Sequence, residues 1–126
     1  MNADDLPVIS YSFGDGTPLV DLCRLTPADI TIERIARGLG NTCRYSGQVR
    51  PFYSVAEHSI LVASQVPQEH RMAALLHDAS EALGLGDTIQ PLKAHLPLYK
   101  RIEAAVMSVV EARFGLKPGA CSHPLI

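Results

Sequence analysis

The stretch "ALLHDASEALGLGD", residues 74–87, constrains this chain more than any other. Together with Ala73, its apolar residues recur as in a buried helix: Ala74, Leu75 and Leu76, then Ala79, Ala82 and Leu83. The same run holds His77, Asp78 and Glu81, with Asp87 just past two glycines. Burying an unpaired charge is costly, so several ionisable groups on one apolar helix call for a cleft or a bound cation. On a helix His77 and Glu81 are four apart, and Asp78 and Glu81 three apart, which sets them on neighbouring parts of one face. His77 and Asp78 diverge by about 100° around the axis, yet both can converge on one point in a groove between helices.

The flanking sequence supplies such a groove. In "SVAEHSILVASQVP", Ser54 and Glu57 have the spacing of a capping box and start a helix that runs to about Val66 and stops at Pro67. A further helix is predicted over 68–83, released by Gly84 and Gly86. These neighbours pack antiparallel, so His58 can face His77 and Asp78. Upstream, "TPADITIERIARGLG" predicts a helix with Thr26 as N-cap, Pro27 in the first position and Gly40 at its end. Ile32, Ile35, Ala36 and Leu39 form its apolar stripe. A last helix, about 98–114, carries Ile102, Ala105, Val106, Val109, Val110 and Phe114. Residues 7–22 read as a short extended lead-in or small hairpin. "NTCRYSGQVRPFY" and "DTIQPLKAHLP" read as loops, and "KPGACSHPLI" as an irregular tail. The expected fold is therefore all-α, a compact helical bundle with a short extended N-terminal lead-in.

A chain of 126 residues suffices for a single domain over 1–126 and is too short for two. Its 47% hydrophobic content excludes general disorder. A net charge of −2 gives no footprint for nucleic acid or an anionic membrane surface. No apolar run approaches a membrane span, and the start, "MNADDLPVIS", is not expected to be a signal peptide. Cys23, Cys43 and Cys121 form no CxxC pair, which favours reduced thiols and a cytoplasmic setting. The expected partner is a small molecule, with no nucleic acid and no membrane.

Imidazole nitrogen and carboxylate oxygen suit Zn, Mn, Co or Fe, and a mixed set leaves positions open for water and substrate. Glu81, one turn on, is placed to support the ligands or handle a proton. Each residue also has an ordinary reading. His77 alone fits a hydrogen-bonded core histidine. Asp78 fits an arginine partner, Glu57 the capping box, and Asp87 a cap on the next turn. His70 and His95 are expected to be solvated.

Taken together, "RYSGQVRPFYSVAEHS", "ALLHDASEAL" and "GDTIQPLK" resemble the HD-domain metal-dependent phosphohydrolases, nearest to the bacterial 5′-deoxynucleotidase-like proteins and their phage relatives. The HD pair is weak alone; the ordered set of AEHS, HDASE and GD-x-x-x-P-x-K is specific. The resemblance covers about residues 24–116. It implies an HD-type helical fold with one divalent metal (Co, Mn, Zn, Fe or Mg) on His58, His77 and Asp78. It implies Glu81 and Asp87 as catalytic residues acting at the phosphate and the attacking water. Arg44 is the best match to a phosphate-binding arginine, and Arg50 is a second candidate. Tyr45 and Phe52 are placed to flank a base or sugar, and Phe52 equally suits core packing. The expected activity is metal-dependent hydrolysis of a phosphate ester of a (deoxy)nucleotide by activated water. The resemblance also implies a possible homodimer, for which the last helix offers an apolar face.

Two departures stand out. Asp87 follows Asp78 by nine positions, one more than in the family pattern. The family's last metal ligand is an aspartate on a helix beyond Gly115, and no aspartate follows Asp87 here. His123, Glu103, Glu111 or a water would have to replace it. An alternative is therefore a catalytically impaired nucleotide- or metal-binding module derived from such an enzyme, and a third reading is a helical interaction domain with a vestigial site.

Overall fold

The computed structural model describes residues 5–126, and Met1–Asp4, which open the stretch read for a leader, lie outside them. The fold is mostly helical with one two-stranded ribbon. In that ribbon β1 (Ser10–Tyr11) pairs antiparallel with β2 (Val20–Asp21), Ser10 opposite Asp21 and Tyr11 opposite Val20. This is the hairpin expected of the lead-in. Asp21 ends it by turning its carboxylate onto the amides of Ile9 and Cys23, both at 3.1 Å, and onto Arg24 at 2.7 Å.

Thr26 and Pro27 start only a 3₁₀ turn, Pro27–Asp29, in which Asp29 Oδ2 accepts from the Thr26 amide at 2.8 Å. The chain then extends through Ile30, which is fully buried. It restarts as α1 (Ile32–Asn41), capped by the Thr31 hydroxyl rather than by Thr26. The short polar side chain nearest the apolar stripe takes the cap.

α2 (Val55–Gln65) begins at the expected capping box: Ser54 Oγ accepts from the Glu57 amide at 3.1 Å, and Glu57 Oε1 accepts from the Ser54 amide at 3.2 Å. After Pro67 and a 3₁₀ turn, α3 covers only Arg71–Leu76. The helix expected over 68–83 is broken at His77 and Asp78. The His77 and Glu81 amides reach back three residues, to Ala74 and Asp78. The next segment, Glu81–Leu85, widens into a π-turn closed by the Gly86 amide on the Glu81 carbonyl at 3.1 Å. Gly84 at φ 111° and Gly86 at φ 70° take the left-handed conformations that release it.

The loop expected over 87–97 contains a short helix, α4 (Gln90–Lys93), with Pro91 in its first turn. α5 (Pro97–Arg113) follows and buries Ile102, Val106 and Val110. Its apolar stripe thus serves the core, which also takes in Ile35, Leu39, Val55, Leu76, Ala79 and Leu83. α1 meets the π-turn at very short range. A Cβ on Gly38 would lie 2.5 Å from the Ala82 Cβ. The tail is irregular as expected, but it is docked. A 3₁₀ turn, Ala120–Ser122, buries Cys121, and the buried Glu111 carboxylate accepts from the Gly119 and Cys121 amides, both at 3.0 Å. Among the described residues, no helix is long and apolar enough to cross a membrane.

Candidate metal centre

The α2–α3 hairpin sets His58, in the second turn of α2, opposite the end of α3. Asp78 Oδ2 lies 3.1 Å from His77 Nε2 and 3.6 Å from His58 Nε2. One ligand atom from each of the three residues falls within 4.8 Å of the other two. Asp78 therefore pairs with imidazoles, not with an arginine. His77 Nδ1 faces the Ala74 carbonyl, so in the neutral ring the proton sits on Nδ1 and the Nε2 lone pair points at Asp78. Three lone-pair-bearing atoms then converge from two helices. Such a cluster needs a proton or a cation at its centre, and two nitrogens plus an oxygen suit a divalent ion.

The surrounding acids point the same way. Glu81 is only 9% exposed, and its Oε1 is buried without a hydrogen-bond partner. Burial, then the neighbouring Asp78 and Asp87, push its carboxyl well above the usual range. Burial works to raise Asp78 as well, but bonds from His77 and Glu81 outweigh it and hold that carboxylate low. Burial and the nearby Arg44 charge lower His58. For His77 the bond and charge of Asp78 overcome burial and raise it. An orphaned buried oxygen beside three convergent ligands is a site that fits a cation.

The triad opens into a cleft of about 420 Å³, also lined by Arg44, Tyr45, Glu81 and Asp87. Asp87 reaches the cleft just after the π-turn and Gly86. Arg44 is held by an antiparallel bridge between Cys43 and Ser54, its amide donating to the Tyr53 carbonyl at 2.8 Å. Tyr45 and Ser46 then both adopt left-handed backbone, at φ 55° and 54°, a strain of about 1 kcal/mol each. That turn lays the Arg44 guanidinium over the Tyr45 ring at 4.7 Å, with Nη2 donating to the phenol at 3.1 Å. Arg44 Nε is buried without a partner.

Not every expected residue arrives. Arg50 is exposed and lines a separate hollow with Phe52 and Glu57, so it does not share the cleft with Arg44. Phe52 is 57% exposed and neither packs in the core nor lines the cleft. None of the three side chains considered for a further ligand is free for it. Glu103 pairs with Lys93, Glu111 holds the tail, and the His123 ring stacks on His70 with centroids 4.1 Å apart. His70 is accordingly half-buried rather than solvated, whereas His95 is exposed as expected. Thr88, Gln90 and Lys93 line the cleft without having been singled out by sequence. Lys93 carried a signal, as the last position of GD-x-x-x-P-x-K.

No protein-family model matches the chain. Among curated proteins it is similar to the uncharacterized protein YfdR of Escherichia coli, 44% identical over 95 residues, covering 75% of this chain and 53% of that protein. It is also similar to an uncharacterized protein of Rhodobacter capsulatus, 43% identical over 116 residues, covering 84% of this chain and 58% of that protein. The chain thus spans little more than half the length of these relatives.

Proposed function

We propose that this chain is an HD-type phosphohydrolase that uses one divalent metal ion to hydrolyse a phosphate ester of a (deoxy)nucleotide. One observation carries the reading: His58, His77 and Asp78 converge within 4.8 Å at the edge of a cleft that also presents Arg44, Glu81 and Asp87. His58, His77 and Asp78 would hold the ion. When bound, it supplies Lewis acidity toward a phosphoryl oxygen and a more acidic water. Arg44, with an unpartnered Nε, offsets the phosphate charge. Glu81 or Asp87 orients the attacking water; Asp87, or Glu81 once a bound ion's charge offsets the burial that raises it, takes the water's proton. Tyr45 offers a ring face to a base or sugar at the cleft mouth.

The test is phosphate release from a panel of deoxynucleotides with Co(II), Mn(II) or Mg(II), comparing wild type with His77→Ala and Asp78→Ala. Turnover that survives both substitutions would falsify the assignment. A second reading, a nucleotide- or metal-binding module without turnover, draws on the engagement of Glu103, Glu111 and His123 elsewhere, which leaves a three-ligand set. Open three-ligand sites are compatible with catalysis. Calorimetric binding of metal and nucleotide with no phosphate release would favour the module.

A further inference from the structure

Asp87 reaches the cleft from a glycine-containing segment. It follows the π-turn directly and is flanked by Gly86, and Gly84 lies just upstream, both glycines in left-handed conformations. Glycine backbone has the widest conformational freedom, so local sequence alone leaves this segment loose. What restrains it comes from α5.

Two contacts span that gap. Lys93, only 8% exposed, donates from Nζ to Glu103 Oε2 at 3.0 Å and so ties the end of α4 to α5. One turn earlier on α5, the Tyr99 hydroxyl reaches the Leu85 carbonyl at 3.4 Å and the Gly86 carbonyl at 3.5 Å. Tyr99 also shares a side-chain hydrogen bond with Thr88. Lys93 Nζ lies 5.7 Å from the centre of the Tyr99 ring, so the two contacts form one cluster. The segment bearing Asp87 is therefore gripped at both ends from the same helix.

We propose that Lys93 and Tyr99 are positioning residues for Asp87, holding residues 85–93 so that its carboxylate stays in the cleft. The inference rests on the functional reading above only for what Asp87 does there, not for the grip itself. It also gives a structural role to a buried lysine paired with Glu103 at the cleft wall.

The first measurement is backbone hydrogen exchange in metal-stripped protein at the bonded amides of the segment, Gly86 on the Glu81 carbonyl and Leu92 and Lys93 on the Ile89 carbonyl. Tyr99→Phe removes the hydroxyl and keeps the ring; Lys93→Met removes the charge and keeps the length. Each is expected to speed exchange at these amides about tenfold, the effect of one modest hydrogen bond, with α2 amides unchanged. The second measurement is activity against metal affinity. In Tyr99→Phe, kcat for phosphate release is expected to fall about tenfold while Co(II) affinity stays within about twofold. Lys93→Arg, which keeps the pair with Glu103, is expected to restore most of what Lys93→Met loses. If Lys93→Met does not fold, Tyr99→Phe still decides. Wild-type exchange rates in Tyr99→Phe would overturn the proposal. Faster exchange in a protein with no turnover would leave the grip standing and remove the phosphohydrolase reading instead.

Discussion

Glu81 and Glu111 are almost equally withdrawn from water, at 9% and 6% exposure, and they behave in opposite ways. Both oxygens of Glu111 accept backbone amides, one from Gly119 and one from Cys121. Its burial is compensated within the chain, and the return is a docked tail. Glu81 has one buried oxygen with no partner, and its neighbours are two further carboxylates, Asp78 and Asp87. The bonds it does make run to those two carboxylates, and they help to push its carboxyl up. Burial alone does not separate the two acids; what does is that Glu111 is met by backbone amides and Glu81 by other carboxylates, with one oxygen left over beside a cluster of metal-ligating atoms.

The largest expected effect separates the two most sharply. Glu81→Gln should lower phosphate release by about 100-fold or more, a loss of about 3 kcal/mol at the transition state, and leave the thermal midpoint unchanged or higher. A stability loss as large as that of a Glu111 variant would erase the distinction.

Glu111→Ala should do the reverse. It leaves two buried amides without an acceptor, and chemical denaturation should show a loss of about 2–4 kcal/mol. Exchange in residues 117–126 should rise, and turnover per folded molecule should not change. Glu111→Gln, which keeps one acceptor oxygen, should lose about half as much.

Gly38→Ala probes how tightly the Glu81 side is packed. Helix propensity favours alanine by about 0.5–1 kcal/mol, but the new Cβ would meet Ala82 at 2.5 Å. Overpacking costs about 1–3 kcal/mol, so the net change should be destabilising by about 1–2 kcal/mol. A stabilised variant would mean that the π-turn yields easily, and the fixed position of Glu81 would lose its basis.

The smallest effect concerns Asp21, which resembles Glu111 at the rim. Burial works to raise its pKa, but the Ile9 amide and Arg24 outweigh it and hold the carboxylate below its usual range. The charged form is therefore favoured in the folded state. Its contribution is complete above about pH 4, the unfolded value, and fades as pH falls through the lowered folded value. Asp21→Asn should cost about 1 kcal/mol at pH 7, with wild type and variant converging at lower pH. A gap independent of pH would point to packing instead.

Much of this contrast was legible in the sequence. The S-x-x-E box and Pro67 bounded α2, and helical spacing placed His58, His77, Asp78 and Glu81 together. The break at His77–Asp78 was not legible, because Ala79, Ala82 and Leu83 continue the apolar period straight through a tightened and then widened turn. A π-turn displaces the register by only one residue, which an apolar stripe tolerates. For the same reason the position of Asp87 could not be judged from its spacing. Arg44 and Arg50 look alike as loop arginines; the Cys43–Ser54 bridge and the left-handed turn at Tyr45 and Ser46 decide between them. The tail looked free because its anchor, Glu111, is a helix residue whose partners are backbone amides, and amides leave no mark in sequence. Thr26 illustrates competing caps: both Thr26 and Thr31 precede plausible helix starts, and only burial of Ile30 between them selects Thr31.

The central claim, that His58, His77 and Asp78 form one cation site, is tested most directly by calorimetric titration of metal-stripped protein with Co(II). The account predicts one ion per chain for wild type. It predicts at least about 100-fold weaker binding for Asp78→Ala and for His77→Ala, each with an unchanged circular dichroism spectrum. Equal binding by wild type and Asp78→Ala, or no binding by folded wild type, would contradict it.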